Sequence, residues 1–399
     1  MKKIICLLLS LILLSATVSA KTVSSEGEID DIDVPLKVEE TSAQIGETLD
    51  IKAKSAILME ANTGKILYES NADERLSPAS VTKVMSLLLV MEAIDRGDFD
   101  YETVVSASAH ACSMGGSQIW LEEGESMTVH DLLKATVIAS ANDACVALGE
   151  LVSGSEEGFV ALMNKRAKEL GMNNTTFINC TGLDAEGHLT TAHDIAVMSS
   201  KLIAHEKIKE YSTVWMDSLR NGESELVNTN KLIRFYEGAT GLKTGTTSIA
   251  KYCLSATAER DGLSLVAVIM AGDTSTDRFE GAKKLLNYGF ANYSYSTVEP
   301  KLKKSEIEIS GGVKKTLSIK ADGTVELLMP KREKGNISRK TVWKKKIKAP
   351  VKKGDIVGYV NIYSDDTEVG KIPIKACENV KKLDIPISIG WILSEIFKN

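Results

Sequence analysis

The alternation of apolar and polar positions divides the chain into stretches of different texture. Lys2 and Lys3 precede a continuous apolar run from Ile4 to Leu14, and Val18-Ser19-Ala20 supplies small residues after it. This layout predicts a signal peptide over residues 1–20, cleaved after Ala20, because the run is too short for a membrane span. Residues 21–48 are acidic and polar with little periodicity and read as a mobile spacer. Ala53 to Met59 and Ile66 to Ser70 have strand character and close around Asn62-Thr63-Gly64 as a hairpin. Ser77-Pro78-Ala79 then opens a helix from Ser80 to Arg96 that stops at Gly97. Between Arg75 and Glu92 the only charged side chain is Lys83, so this helix belongs inside a domain.

Residues 107–205 read as mostly helical, with loops at Gly115-Gly116, Gly124 and Gly187. A strand begins at Leu242. Cys253 to Ala258, a turn at Arg260-Asp261-Gly262 and Leu263 to Ala271 complete an antiparallel meander. Thr276 to Tyr293 returns to helical spacing. Two strands before a helical middle and three after it predict an α+β domain over residues 49–295, a five-stranded antiparallel sheet with helices on both faces. Residues 296–380 alternate in short runs: Val313–Lys320, Thr324–Met329, Thr341–Ala349, Ile356–Ile362 and Glu368–Ile374. They predict a small all-β C-terminal domain. Over residues 381–399, apolar positions 385, 389, 392, 393, 396 and 397 fall on one helix face beside Lys381-Lys382 and Trp391. The segment is too short to cross a bilayer; it suits an amphipathic helix lying in the headgroup plane, the alternative being a terminal helix docked on the protein's own core.

Composition refines this outline. The 399 residues, 43% hydrophobic and 26% charged with a net charge of −6, have room for two or three cores and exclude a generally basic, nucleic-acid-coating protein. The charge is uneven. Residues 21–50 carry 2 basic and 9 acidic side chains and residues 51–296 carry 22 and 32, whereas residues 297–399 carry 22 and 13. The acidic body and basic tail fit an exported chain resting on an anionic surface. After cleavage five widely spread cysteines and five histidines remain, without CxxC or HExxH, so neither a disulfide framework, a metal site nor any other cofactor is expected.

Three short motifs carry the candidate chemistry: Ser80-Val81-Thr82-Lys83, Ser140-Ala141-Asn142 and Lys243-Thr244-Gly245. Alone, each is ordinary: a helix start, a cap, a strand-end turn. Their context is less so. Lys83 lies one turn after Ser80 on the same helix face, embedded in apolar sequence. Desolvation or a second ammonium would depress its pKa, and a neutral amine can take a serine proton without histidine. Ser140-Ala141-Asn142 is a polar interruption between apolar stretches, so its groups must be hydrogen-bonded or face a cleft. Lys243-Thr244-Gly245 suits a strand edge against which a carboxylate-bearing peptide can lie.

Together the motifs resemble those of the penicillin-recognising serine acyltransferases. The sequence is most similar to the low-molecular-mass penicillin-binding proteins, the serine-type D-alanyl-D-alanine carboxypeptidases. The likeness extends through Leu76-Ser77-Pro78-Ala79-Ser80, Ile138-Ala139-Ser140-Ala141-Asn142-Asp143-Ala144, Asn179-Cys180-Thr181-Gly182-Leu183 and Gly241-Leu242-Lys243-Thr244-Gly245, and covers roughly residues 50–399. It implies a β-lactamase/transpeptidase-like fold and a membrane-associated enzyme that trims peptidoglycan stem peptides ending in D-Ala-D-Ala. It also implies covalent inhibition by β-lactam antibiotics and a place on the outer face of the cell membrane. By the same resemblance Ser80 is the nucleophile, Lys83 its base, and Ser140 a proton relay to the departing D-alanine, held by Lys83 and Lys243. Asn142 holds the acyl part of the substrate, Lys243 and Thr244 of the Lys243-Thr244-Gly245 edge receive its carboxylate, and the N–H groups of Ser80 and Thr246 form the oxyanion hole. Thr246 stands where some members carry histidine. Arg278, in Asp277-Arg278-Phe279, is either a further carboxylate contact or a solvated arginine at a helix start.

Other readings are weaker. A class A β-lactamase would add an E-x-x-L-N glutamate, which is missing between Ser140 and Lys243, and would lack the β-rich extension. A transpeptidase or endopeptidase of the same superfamily shares the motifs. A non-catalytic wall-binding or sensor module predicts a damaged motif, and all three are intact.

Overall fold

In the computed structural model, which describes residues 21–22, 45–332, 336–344, 346–364, 366–386 and 389–390, the first hairpin joins β1 (Ser55–Glu60) to β2 (Ile66–Ser70). The buried Glu60 carboxylate closes its turn by accepting from the N–H groups of Asn62 (3.1 Å) and Thr63 (2.7 Å). After the helical middle come β3 (Ala239–Thr247), β4 (Lys251–Arg260) and β5 (Leu263–Gly272). Asp261 and Gly262 both have positive φ (50° and 77°), as a tight two-residue hairpin turn requires. The sheet order is β2-β1-β5-β4-β3, which leaves β3, with Lys243-Thr244-Gly245, at an edge.

A 3₁₀ turn, Ala79–Thr82, leads into α1 (Lys83–Arg96), which ends at Gly97 in the left-handed region (φ 77°). Ten residues of α1 are buried, as its nearly all-round apolar sequence demands. Around it lie α2 (Val129–Ile138), α3 (Asn142–Ser153), α4 (Glu156–Glu169) and α5 (Ala192–Ile203), with α1 packed on α3 and α5. Val266, Val268 and Met270 of β5 join this helical core. Ile269, pointing the other way, meets Gly281 of α6 (Ser275–Asn292). Helices therefore cover both faces, and every residue of β5 is buried. The helical middle also holds paired strands that the sequence reading did not include, Val104–Ser106 with Ser126–Thr128 and Met216–Leu219 with Ser224–Val227.

The chain divides into two compact units, Leu49–Arg260 with Ser264–Leu286 forming most of the first and Asn287–Asn399 most of the second. Between Tyr293 and Ala376 the described elements of the second unit are all β-strands. The unit pairs β6 (Tyr293–Val298) with β9 (Val325–Pro330). Its five-stranded sheet has the order β7 (Glu306–Glu308), β8 (Thr316–Ala321), β12 (Thr367–Ala376), β11 (Ile356–Ser364), β10 (Ile337–Trp343). Leu317, Val360, Ile362 and Ile374 centre its own core. The strand expected at Thr341–Ala349 lies earlier, at Ile337–Trp343, and Lys346 in the left-handed region (φ 52°) marks where the chain has left the extended conformation.

Residues 1–20 and all of the terminal segment 381–399 beyond Gly390 lie outside the described residues. Among the described residues no helix is long and apolar enough to cross a membrane, and no His/Cys/Asp/Glu group could hold a metal ion. Cys112, Cys145, Cys180, Cys253 and Cys377 are free, the middle three of them buried.

Candidate active site

The helix start at Ser80 gives the site its first two groups. Because Lys83 follows Ser80 by three residues across the 3₁₀-to-α junction, its Nζ comes within 3.1 Å of Ser80 Oγ. Lys83 is 0% exposed, whereas Ser80 is only half-buried. The amine also donates to Asn142 Oδ1 (2.5 Å) and to the Thr181 carbonyl (2.8 Å). Burial is the main cause that lowers the Lys83 pKa to about 8, opposed by the Cys145, Cys180 and Asp143 side chains.

These partners fix where the lone pair points. Two carbonyl oxygens can only accept, so they take both hydrogens of a neutral amine. The lone pair is left for Ser80, whose hydroxyl then becomes the donor. Asn142 has its own anchor, Nδ2 donating to Gly115 O (2.7 Å), which sets the amide with Oδ1 toward Lys83 and leaves one Nδ2 hydrogen free of these bonds. Next to it, buried Asp143 ties the preceding loop to the head of α3 by accepting from Leu121 N (3.1 Å) and Ala144 N (2.8 Å).

Lys243-Thr244-Gly245 closes directly on this turn. A Cβ at Gly245 would lie 2.6 Å from Pro78 O and 3.0 Å from Ser80 N, so the approach admits glycine alone. Lys243 is 1% exposed and donates to Thr244 O (3.0 Å); burial, with the charges of Lys83 and Arg278, holds its pKa well below the ordinary lysine range. Thr244 Oγ1 donates to Thr229 Oγ1 (2.7 Å). Ser140 is buried at φ 63°, and among the described residues its hydroxyl bonds to neither lysine.

Arg278 starts α6 but is not solvated. It is 8% exposed, its Nη1 donates to Thr246 Oγ1 (2.8 Å) and Gly245 O (3.2 Å), and burial lowers its pKa to about 10. Three contributors have no side-chain signature in the motifs. Thr181 acts through its carbonyl, and Gly182 (φ 89°) lets the loop touch the nucleophile turn, since a Cβ there would be 1.8 Å from Ala79 O. The third is His188. Its Nδ1 accepts from Ile178 N (3.2 Å), so Nε2 carries the hydrogen and meets Thr82 Oγ1 (2.8 Å) inside the Ser80–Lys83 turn.

Burial lowers the His188 pKa from 6.5 to about 4. Below pH 6.5 the unfolded chain binds this proton and the folded one does not, so stability falls as pH drops from 6.5 toward 4. The loss should reach about 3 kcal/mol. Urea unfolding at pH 7, 5 and 4 measures it, and a His188→Asn protein should show a shallower slope. An identical slope would show that His188 does not take up this proton on unfolding.

A serine hydroxyl facing the lone pair of a buried amine, with a second buried lysine on an abutting strand edge, defines a serine acyl-transfer enzyme that works without histidine. Residues 39–274 match the D-alanyl-D-alanine carboxypeptidase family, Peptidase S11, and residues 295–382 match the C-terminal domain of penicillin-binding protein 5. The chain therefore belongs to the serine-type D-alanyl-D-alanine carboxypeptidases, among the low-molecular-mass penicillin-binding proteins. It is 42% identical over 339 residues to the D-alanyl-D-alanine carboxypeptidase DacF of Bacillus subtilis, covering 83% of this chain and 86% of the relative. Penicillin-binding protein 5 of Haemophilus influenzae superposes with a TM-score of 0.68 at 28% identity, covering 84% of this chain and 99% of that one. Ampicillin-bound penicillin-binding protein D2 of Listeria monocytogenes gives 0.53 at 33% identity, covering 61% of this chain and all (100%) of that one.

Proposed function

We propose that the exported chain removes the terminal D-alanine from peptidoglycan stem pentapeptides through a Ser80 acyl-enzyme, and that penicillins acylate the same serine. The observation that carries this reading is the Lys83 amine, dry, with carbonyl oxygens at 2.5 and 2.8 Å and the Ser80 hydroxyl at 3.1 Å. Neutral Lys83 takes the Ser80 proton as Oγ attacks the carbonyl between the two D-alanines. The N–H groups of Ser80 and Thr246 receive the oxyanion, each such donor lowering the barrier by ~3 kcal/mol. Ser140 passes the proton to the departing amine, and water then releases the shortened peptide.

The other residues orient the substrate. The free Nδ2 hydrogen of Asn142 suits the acyl carbonyl. Lys243 and the Thr244 hydroxyl suit the terminal carboxylate, with Gly245 keeping the strand against the serine. Arg278 supports this edge from behind through Thr246 and adds positive potential for the carboxylate. Release of D-alanine from a synthetic pentapeptide, together with labelling by fluorescent penicillin, tests the reading; a protein that labels but releases no D-alanine would refute the carboxypeptidase step.

The signal peptide over residues 1–20 and the amphipathic segment 381–399 complete the proposal by placing the enzyme on the outer face of the cell membrane. Deleting residues 384–399 should move the protein from the membrane pellet to the supernatant and leave peptide hydrolysis within about twofold, since every residue assigned to the site lies between Ser80 and Arg278. A truncated protein that stays in the pellet would show that the anchor lies elsewhere.

A further inference from the structure

Backbone pairing in the second unit gathers lysines that are scattered in sequence. Ser310 N donates to Ile347 O (3.2 Å), Ala349 N to Ser310 O (2.9 Å), Val313 N to Lys381 O (3.0 Å) and Leu383 N to Gly311 O (2.9 Å). Val351 and Val380 exchange both of their backbone hydrogen bonds, each 2.9 Å. Segments 310–315, 346–353 and 380–383 are thereby held together at one end of the unit.

Lysines outnumber carboxylates at this end, where Asp355, Glu378 and Asp384 are the acidic neighbours. Lys314 is held by Glu378, but Lys315, Lys346, Lys348, Lys352, Lys353, Lys381 and Lys382 are exposed, and among the described residues none of the seven has an ion-pair partner. Lysine elsewhere in the unit does pair, as Lys375 does with Asp322 at 2.5 Å. Like charges crowded on one surface repel, and only an external anion relieves them. The same end is also apolar. From Lys382 the chain continues into Leu383, Ile385 and Ile389, which are 37%, 76% and 51% exposed. Ammonium groups beside exposed aliphatic side chains match a bilayer surface, with phosphates outermost and hydrocarbon beneath. A soluble polyphosphate would satisfy the charges and leave the aliphatic groups in water.

We propose that this lysine-rich end of the β unit is a docking face for anionic phospholipid headgroups, reading lipid charge separately from the insertion of the terminal segment. It rests on the membrane reading above and adds lipid selectivity to it. The test uses the full mature chain and sedimentation with vesicles of 30% phosphatidylglycerol in phosphatidylcholine, or of phosphatidylcholine alone. A Lys348→Gln, Lys352→Gln, Lys382→Gln protein should bind the anionic vesicles on the order of 100-fold more weakly, about fivefold per lysine. Its binding to neutral vesicles and its D-alanine release should be unchanged. A control with Lys320→Gln, Lys340→Gln and Lys371→Gln, also exposed on this unit, should stay within about threefold of the parent. The preference for anionic vesicles should fade in high salt.

Equal binding of the triple variant and the parent to anionic vesicles would overturn the proposal, as would an equal loss in the control, which would mean net charge alone. Tighter binding of the parent to soluble poly(glycerol phosphate) than to anionic vesicles would assign the face to a wall polymer and also overturn it. If the parent binds both vesicles equally, lipid selectivity falls and anchoring stands; if it binds neither, both fall.

Discussion

Ser80→Ala should lower D-alanine release by about 10⁴- to 10⁶-fold, the range seen when the nucleophile of a covalent catalyst is removed. No other hydroxyl can take over. Ser140, the other motif serine, makes no hydrogen bond to Lys83. Thr82, although next to Lys83, has its hydroxyl on His188 at 2.8 Å. The fold should be unaffected, because Ser80 is only half-buried and its one side-chain bond is to Lys83. The decisive measurement is gel fluorescence after incubation with a fluorescent penicillin. Parent protein should carry the label through denaturation and Ser80→Ala should not; a labelled variant would move the nucleophile elsewhere.

The second large effect concerns Lys83, the base proposed above. Lys83→Met keeps the length and apolar character of the stem but provides no proton acceptor, and acylation should fall by about 10³- to 10⁴-fold, within the range of a lost general base combined with a misplaced nucleophile. The parent's pH profile is a finer test. With a pKa near 8, only about a tenth of the molecules hold a neutral Lys83 at pH 7. The rate of acylation should therefore rise with pH through 7 to 8 and level off above it. Lys83→Arg, whose guanidinium stays protonated, should be as inactive as Lys83→Met at every pH. A flat profile in the parent between pH 6 and 9, or an active arginine variant, would remove Lys83 from the role of base.

Much of this was legible in the sequence. The hairpin, the apolar helix and the meander around Asp261-Gly262 follow from periodicity and turn chemistry, and the structure has them within a few residues. Ser80, Lys83, Asn142 and Lys243 were visible because side chains announce them. Thr181 stood out only within the Asn179-Cys180-Thr181-Gly182-Leu183 likeness and without a role, because its contribution is a carbonyl oxygen that every residue possesses. Gly182 looks in sequence like any loop glycine; only the packed loop reveals a backbone 1.8 Å from where its Cβ would be. Arg278 was half-read. Its helix-start position suggested solvent, but Tyr252 and Phe279 stack against the guanidinium and β3 takes its hydrogen bonds. The small strand pairs around residues 104–128 and 216–227 are too short to show a period.

The free thiols described above have a practical consequence. A chain whose core is closed by packing alone needs no oxidant to reach its active form. Produced without residues 1–20, it should fold in a reducing cytosol as readily as in an oxidising medium. Dithiothreitol should leave its melting temperature where it was, and renaturation from urea should proceed without any pairing step to go astray.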